Sequence, residues 1–348
     1  MEIYNNMSLQ ELEEKLVQWG EKKFRGRQIY EGIHKQGVLS IDNMTNLSKS
    51  LREKLKEKGS IKTLDILEVF SSKLDDTKKF VLECEDGNVI EAVYMKYSTH
   101  STLCISSQIG CKMGCVFCAS TKERFGRSLE KYEMLDQIYR VNEYLNTRID
   151  NVVIMGIGEP LENYENVTGF IRMITDDKGY GMSIRSVTLS TCGIVPKIYQ
   201  LGEDQLPINL AISLHNPFNE ERKKLMPIGK KYSIEEILQA CDYFFKETGR
   251  RVSYEYTLIA EENDSPRYSR KLAELLKGRN CHLNLIPLNP IKEYGKDSSS
   301  DKNVSEFCKY MNSRGVTTTV RRKQGQDIEG ACGQLRANYI RDERSNTH

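Results

Sequence analysis

From about residue 100 onward, six short β-rich runs alternate with helix-like stretches, and this alternation admits few architectures. The runs are TLCISSQI (102–109), NVVIMGIG (151–158), SVTLSTC (186–192), INLAISLH (208–215), VSYEYTLI (252–259) and HLNLIPLN (282–289). Helical patterns at 131–147, 163–175, 233–247 and 267–277 fall between most of them. Strands separated by helical crossovers build a parallel sheet, either open and doubly wound or curled into a barrel. Polar and reactive residues gather where the runs end: a cysteine cluster after the first, Gly158 and Glu159 after the second, Ser190 in the third, Ser213 and His215 on either side of Leu214 in the fourth, and Asn289 in the sixth. Groups at the C-terminal ends of barrel strands converge on one mouth, which favours the barrel. Six units rather than eight predict a partial α/β barrel of the (βα)6 kind, with an open side that suits a large substrate.

The residues ahead of the barrel divide in two. Residues 1 to about 60 read as a small helical accessory domain. Ser8 with Glu11 has the form of a capping box, Leu9, Leu12, Leu16 and Trp19 follow at helical spacing, and further helices fit around 29–33 and 47–55. The segment 61–97 holds two strand-like runs in KKFVLECEDGNVIEAVYMKY, joined at Asp86-Gly87, which predicts a β-hairpin extension. Residues 98–340 then form the barrel and a C-terminal segment, and 341–348 a tail.

Four of the ten cysteines, Cys104, Cys111, Cys115 and Cys118, lie within fifteen residues. The N-terminus MEIYNNMSLQELEEKL lacks the basic region, apolar run and cleavage site of a secretory signal, so a reducing cytoplasmic setting is expected, with thiols free, metal-bound or catalytic. No apolar run approaches the roughly 18 residues of a membrane span. Cys111, Cys115 and Cys118 form C-x3-C-x2-C. Structural zinc usually takes four ligands from paired knuckles or Cys/His pairs, and neither a second knuckle nor a nearby His is present. Three thiolates in a tight loop suit a cubane iron–sulfur cluster whose fourth iron is open to a ligand such as S-adenosylmethionine; a zinc or structural role is the alternative. Beside such a centre, Glu159 is a plausible acceptor for the cofactor's ammonium, and Ser190, Ser213 and Asn289 are candidate polar contacts. MGIGEP has Leu161 where a dinucleotide loop needs glycine, so a Rossmann reading fails. His215 reads as cofactor-lining rather than catalytic. Cys84, Cys192, Cys241, Cys281 and Cys308 read as small buried apolar residues, which leaves Cys104 and Cys332 unassigned.

Taken together, TLCISSQIGCKMGCVFC, MGIGEPLEN, VTLSTCGIVP, LAISLH, KLMPI, NLIPLNP and GQDIEGACGQL resemble the RlmN/Cfr family of radical S-adenosylmethionine RNA adenosine methyltransferases. KKFRGRQIYEGIHKQGV and MTNLSKSLREKL are similar to that family's N-terminal accessory domain, which implies an RNA-binding role for residues 1–60, and the likeness spans nearly the whole chain. It implies a partial radical S-adenosylmethionine barrel, a [4Fe-4S] cluster on Cys111, Cys115 and Cys118, and two molecules of S-adenosylmethionine per turnover. Gly158, Glu159, Ser190, Ser213, Leu214, His215 and Asn289 would bind the cofactor. Cys332 would first take a methyl group and then, as a thiomethylene radical, add it to adenine. Glu91 would accept the ring proton, and Cys104 would attack Cys332 to release the product as a transient disulfide. Without the resemblance, Glu91 reads as a strand carboxylate facing solvent and Cys104 as core.

The substrate implied is an adenosine of 23S rRNA, with tRNA as a second target, and the partners implied are a reductase or flavodoxin-type electron donor for a monomeric enzyme. GEP at 158–160 and LIPLNP at 285–290 look like the carbon-2 branch, whereas MKY at 95–97 is also familiar from the carbon-8, antibiotic-resistance branch; carbon 2 is favoured. A radical enzyme acting on a peptide or metabolite, and a non-catalytic RNA-binding metalloprotein, are the competing classes. Fifty-one basic against forty-nine acidic residues leave a net charge of +2, so any RNA footprint must be local. Candidate patches are Arg222-Lys223-Lys224, Lys230-Lys231, Arg250-Arg251 and Arg321-Arg322-Lys323.

Overall fold

The computed structural model describes residues 1–336; the expected tail at 341–348 lies outside the described residues. The chain opens with β1 (Glu2–Ile3), followed by helices α1 (Leu9–Gln18), α2 (Phe24–His34) and α3 (Lys49–Lys58) and by β2 (Gly59–Ser60), which pairs in parallel with β1. Ser8 caps α1 as its sequence predicts: its hydroxyl accepts from the Glu11 N–H at 3.3 Å while the Glu11 carboxylate accepts from the Ser8 N–H at 2.6 Å. Leu12, Leu16, Ile29, Ile33, Leu51 and Leu55 bury the facing sides of the three helices. The helices α1 and α2 cross where Gly26 has no side chain to hold them apart.

Ten of the described strands make one sheet. Three are antiparallel, β3 (Asp65–Ser71), β4 (Lys78–Glu83) and β5 (Val89–Lys96). Seven follow, β6 (Ser101–Ile105), β7 (Asn151–Ile154), β8 (Val187–Thr191), β9 (Asn209–Ser213), β10 (Val252–Leu258), β11 (Cys281–Pro287) and β12 (Thr318–Val320), each parallel to the next. The spatial order is the chain order from β3 at one edge to β12 at the other, and those two strands are not paired with each other. Crossovers are made by α4 (Lys131–Leu145), α5 (Tyr164–Thr175), α6 (Val195–Glu203), α7 (Asn219–Leu225) with α8 (Ile234–Thr248), α9 (Pro266–Leu276) and α10 (Asp301–Ser313). This is the expected open, partial barrel.

The hairpin turn falls at Asp86-Gly87, with Gly87 at φ +75°, but the extension has a third strand, β3, and is continuous with the barrel sheet. β3 escapes a periodicity reading because it is a bulged, half-exposed edge. The helices α6 and α7 and the strand β12 are also absent from the sequence reading. Pro196 and Gly202 disguise α6, a run of charges disguises α7, and β12 is three residues long.

The N-terminal helices are docked on α4. His34 Nδ1 meets the Tyr139 hydroxyl at 2.9 Å, the Asn6 amide donates to Glu130 at 2.9 Å and accepts from the Tyr132 N–H at 3.1 Å, and the Leu64 N–H donates to Asp136 at 2.6 Å. Buried apolar residues run without a break from Tyr4 and Leu12 into the barrel core. A methyl group on Gly26 would stand 2.7 Å from the Glu13 backbone on α1, whereas one on Gly32 would meet nothing nearer than the flexible end of Met44 at 3.8 Å. Gly26→Ala should therefore lower stability by about 1–3 kcal/mol, and Gly32→Ala should raise it by up to about 1 kcal/mol; thermal unfolding midpoints of the two variants check this.

Candidate active site

The loop after β6 carries the three-cysteine motif, and its shape is fixed by contacts on both sides. Gly110, at φ +71°, begins it where a Cβ would collide with the Arg124 carbonyl at 2.7 Å. The Val116 N–H donates to the Leu225 carbonyl at the end of α7 (3.0 Å), and the Thr121 hydroxyl lies 2.9 Å from the carbonyls of both Cys115 and Cys118. Cys111, Cys115 and Cys118 open on one cavity of about 1000 Å³, counted out to its mouth. Burial pushes the Cys111 thiol up to about 12 and raises Cys115 and Cys118, and Cys118 raises both of its neighbours. Binding iron would therefore displace protons from all three.

The same cavity is lined by Gly158, Glu159, Ser190, Ser213, His215 and Asn289. Leu214 is the exception: it lies just past the end of β9 and its side chain is fully buried in the core. Gly158 is at φ +111° and packs so tightly on Gln108 that a Cβ would lie 2.6 Å from that side chain. This fixes Glu159, whose N–H donates to Gln108 Oε1 at 2.8 Å. The Glu159 carboxylate is 3% exposed and accepts from the Leu161 N–H at 3.0 Å and the Cys192 N–H at 2.8 Å. Burial raises its pKa and those two N–H groups work against the rise, so it suits an ammonium partner. His215 accepts from the Thr257 N–H through Nδ1 at 3.0 Å, which leaves its proton on Nε2, and burial lowers its pKa to about 3. It is a neutral lining residue. Asn289 is committed to the chain itself, donating to the Cys332 carbonyl at 3.1 Å and accepting from Gln326 at 3.2 Å.

Arg222 is not part of a surface patch. It is 1% exposed behind the cavity wall, donating to the carbonyls of Cys192 (2.7 Å), Ser213 (3.1 Å) and Leu214 (3.1 Å), with Nη1 unbonded. Among the described residues it has no carboxylate partner, and its electrostatic partners are Cys115 and Cys192. A buried cation without a counter-charge is costly. Three thiolates on an iron–sulfur cluster would provide that counter-charge, so the residues fit such a group. No three His, Cys, Asp or Glu side chains among the described residues gather as one metal ion requires. A cubane asks for less convergence, since each thiolate binds its own iron. Cys192, read from sequence as a small buried apolar residue, is buried as expected, and its backbone links Glu159 to Arg222.

A second cavity, about 580 Å³, holds Cys104 together with Cys332. Cys332 lines both cavities and Cys104 lines only the second. The segment carrying Cys332 is stitched across the mouth. Ala119 donates to the Gly333 carbonyl (2.7 Å), Ser120 to the Leu335 carbonyl (2.9 Å) and the Arg336 N–H to Glu91 Oε2 (2.7 Å). Asp327 accepts from Ser72 and from the Lys73 N–H, each at 2.7 Å. Glu91 does not face solvent: β5 is covered on both faces from Val89 to Met95, and the carboxylate is buried against Lys79 Nζ at 3.0 Å. Burial raises its pKa, with Lys79 and the Arg336 N–H opposing. Cys104 is 8% exposed and burial pushes it up to about 12.

Residues 4–61 match the family described as "Ribosomal RNA large subunit methyltransferase N-terminal domain", and residues 105–272 match the "Radical SAM superfamily". The chain is 57% identical over 338 residues to a probable dual-specificity RNA methyltransferase RlmN of Finegoldia magna, covering 97% of each chain. It is 47% identical over 337 residues to the protein of that name in Clostridium novyi, covering 97% of this chain and 98% of that one. A crystal structure of a radical SAM methyltransferase from Sphaerobacter thermophilus superposes with a TM-score of 0.92 at 37% identity, covering 97% of this chain and all of that one. Changing Cys111, Cys115 or Cys118 singly to Ala should abolish iron retention after anaerobic reconstitution, read as lost iron and visible absorption, while Cys241→Ala, in the core, should retain both.

Proposed function

This chain belongs to the RlmN family of radical S-adenosylmethionine RNA methyltransferases, and we propose on that footing that it methylates carbon 2 of an adenosine in 23S rRNA, and of one in tRNA, through a methyl-cysteine carrier. The observation that carries the reading is the position of Cys332 in the wall between two cavities, one lined by the cluster cysteines and the other by Cys104. Cys111, Cys115 and Cys118 would hold the [4Fe-4S] cluster, with Glu159 and the strand-end residues orienting S-adenosylmethionine. Bound there, cluster and cofactor supply a hydrogen-abstracting radical.

The remaining work belongs to the protein. Carbon 2 of adenine has no lone pair, so the methyl group is delivered as a carbon joined to Cys332 rather than by direct displacement. Glu91 takes the ring proton, a role supported by its burial beside the Cys332 segment and by Lys79, whose ammonium opposes the rise in pKa that burial causes. Cys104 then attacks the Cys332 sulfur. The exposed Arg322 and Lys323 at the rim of this cavity are the residues placed to meet RNA phosphates. Among the described residues no helix is long and apolar enough to cross a membrane.

Mass spectrometry of 23S rRNA and tRNA from cells with and without the protein should show 2-methyladenosine lost from both RNAs. Loss of 8-methyladenosine instead would move the chain to the carbon-8 branch. The base role has a pH signature. Glu91 must be ionised to act, burial raises its pKa and Lys79 lowers it. The acidic limb of the rate profile should therefore move to higher pH in Lys79→Met, and Glu91→Gln should reduce methylation by about 10²-fold or more.

A further inference from the structure

Arg321 follows directly on β12 and is anchored by its N–H, which donates to the Leu285 carbonyl at 2.8 Å. Its side chain lines the cofactor cavity, the Cys104–Cys332 cavity and a third cavity at the opposite end of the strands, beside Tyr97, Arg250 and Glu255. Among the described residues it forms no salt bridge; its guanidinium donates from Nη1 to the Met155 sulfur at 3.8 Å. It is a cation at the junction of the site that no structural ion pair consumes.

The other charged groups around Cys104 are accounted for. On β5, Val93 stands opposite Cys104, and Glu91 is one diagonal step away on the same face, paired with Lys79. On β7 the opposing residue is the apolar Val153. Across the cavity are Cys332 and Arg321, with the exposed Arg322 and Lys323 at the rim, where water screens them. Glu255 shares Arg321 from the far side; its Oε1 accepts from Asn284 at 3.1 Å and its Oε2 is unbonded. Cys104 must act as a thiolate, and burial and an ionised Cys332 both oppose this, while Arg321 favours it. Once Cys332 carries a methyl or methylene group it is a neutral thioether. The repulsion then disappears and the attraction of Arg321 falls on Cys104 alone.

We propose that Arg321 is the positioning residue that stabilises the Cys104 thiolate after Cys332 has been alkylated, so that the resolving thiol is activated only when there is an adduct to resolve. This rests on the reading of Cys332 as carrier and Cys104 as resolving thiol. In the step it serves, the Cys104 thiolate forms a bond to the Cys332 sulfur and the bond from that sulfur to the methylene breaks. The electron pair of the broken bond goes to the carbon on the adenine, which takes up a proton to become the methyl group. The two sulfurs are oxidised to a disulfide as that carbon is reduced.

Two measurements test it. In Cys332→Ala protein, which lacks the competing thiol as the loaded carrier does, the pH dependence of Cys104 alkylation by iodoacetamide is followed by peptide mass spectrometry, without need of cluster or RNA. Adding Arg321→Met should raise the midpoint by about one unit or more, a roughly tenfold loss of thiolate below it, and Arg321→Lys should recover most of the shift. In anaerobically reconstituted enzyme with S-adenosylmethionine, dithionite and unmethylated 23S rRNA, Arg321→Met with both cysteines intact should accumulate a covalent protein–RNA adduct that resolves faster as pH rises, and Arg321→Lys should clear it. An unmoved alkylation midpoint overturns the proposal. So does an Arg321→Met enzyme that forms no adduct, or clears it at the normal rate, while Cys104→Ala accumulates one. If Cys104→Ala itself accumulates no adduct, the carrier and resolving roles fail, and this inference falls with them.

Discussion

Strand β6 is hydrogen-bonded in opposite senses along its two edges, antiparallel to β5 and parallel to β7. A parallel barrel alone gathers its chemistry at the C-terminal ends of its strands, where the cysteine loop, Glu159 and Ser190 all lie. The antiparallel neighbour brings residues from a strand running the other way against the same mouth. Glu91 on β5 and Cys104 on β6 thereby share one face, and the three-cysteine loop begins a few residues beyond the end of β6. A register slip of one residue between β5 and β6 would turn Glu91 and Cys104 to opposite faces.

The buried charges divide by purpose. The pair Lys79 with Glu91 and the fork of Arg127 on Glu133 are closed, each cation meeting its carboxylate at 2.7–3.0 Å. Arg222 and Arg321 have no such partner among the described residues, and both stand beside thiols. A cation with no carboxylate partner in such a setting would be satisfied by the charge of an arriving cofactor or of an ionising thiol.

The barrel was legible because alternating β and helical runs report on burial, which sequence encodes directly; the ends of the six runs marked the cavity walls to within a residue or two. The C-x3-C-x2-C spacing was equally direct, since three thiols on one short loop meet at one cavity without tertiary information. What periodicity could not show was anything built by contact between distant segments. The carriage of Cys332 on bonds to Ala119, Ser120 and Glu91 is one case, and the burial of Arg222 inside what reads as a basic run is another. Leu214 reads as part of the cavity wall, and its side chain lies in the core instead. A linear motif groups it with Ser213 and His215, whereas the direction of a side chain just past the end of β9 depends on tertiary packing. Glu91 and Cys104 were indistinguishable from ordinary strand residues in the sequence pattern, and only the resemblance singled them out.

A sheet that does not close leaves two free edges, and unpaired strand edges invite other copies of the same chain. Here β12 offers only three residues and is followed by Arg321, Arg322 and Lys323, while β3 is bulged between Ile66 and Glu68. Across the gap the chain spans from β12 to the β3–β4 turn with side-chain bonds, Asp327 to Ser72 and Lys73 and Asp75 to the Gly325 N–H, rather than with a strand ladder. Such a latch leaves the two edges unpaired with each other yet presents little continuous edge for stacking. The same opening that serves the reaction would otherwise be the site at which the protein polymerises with itself.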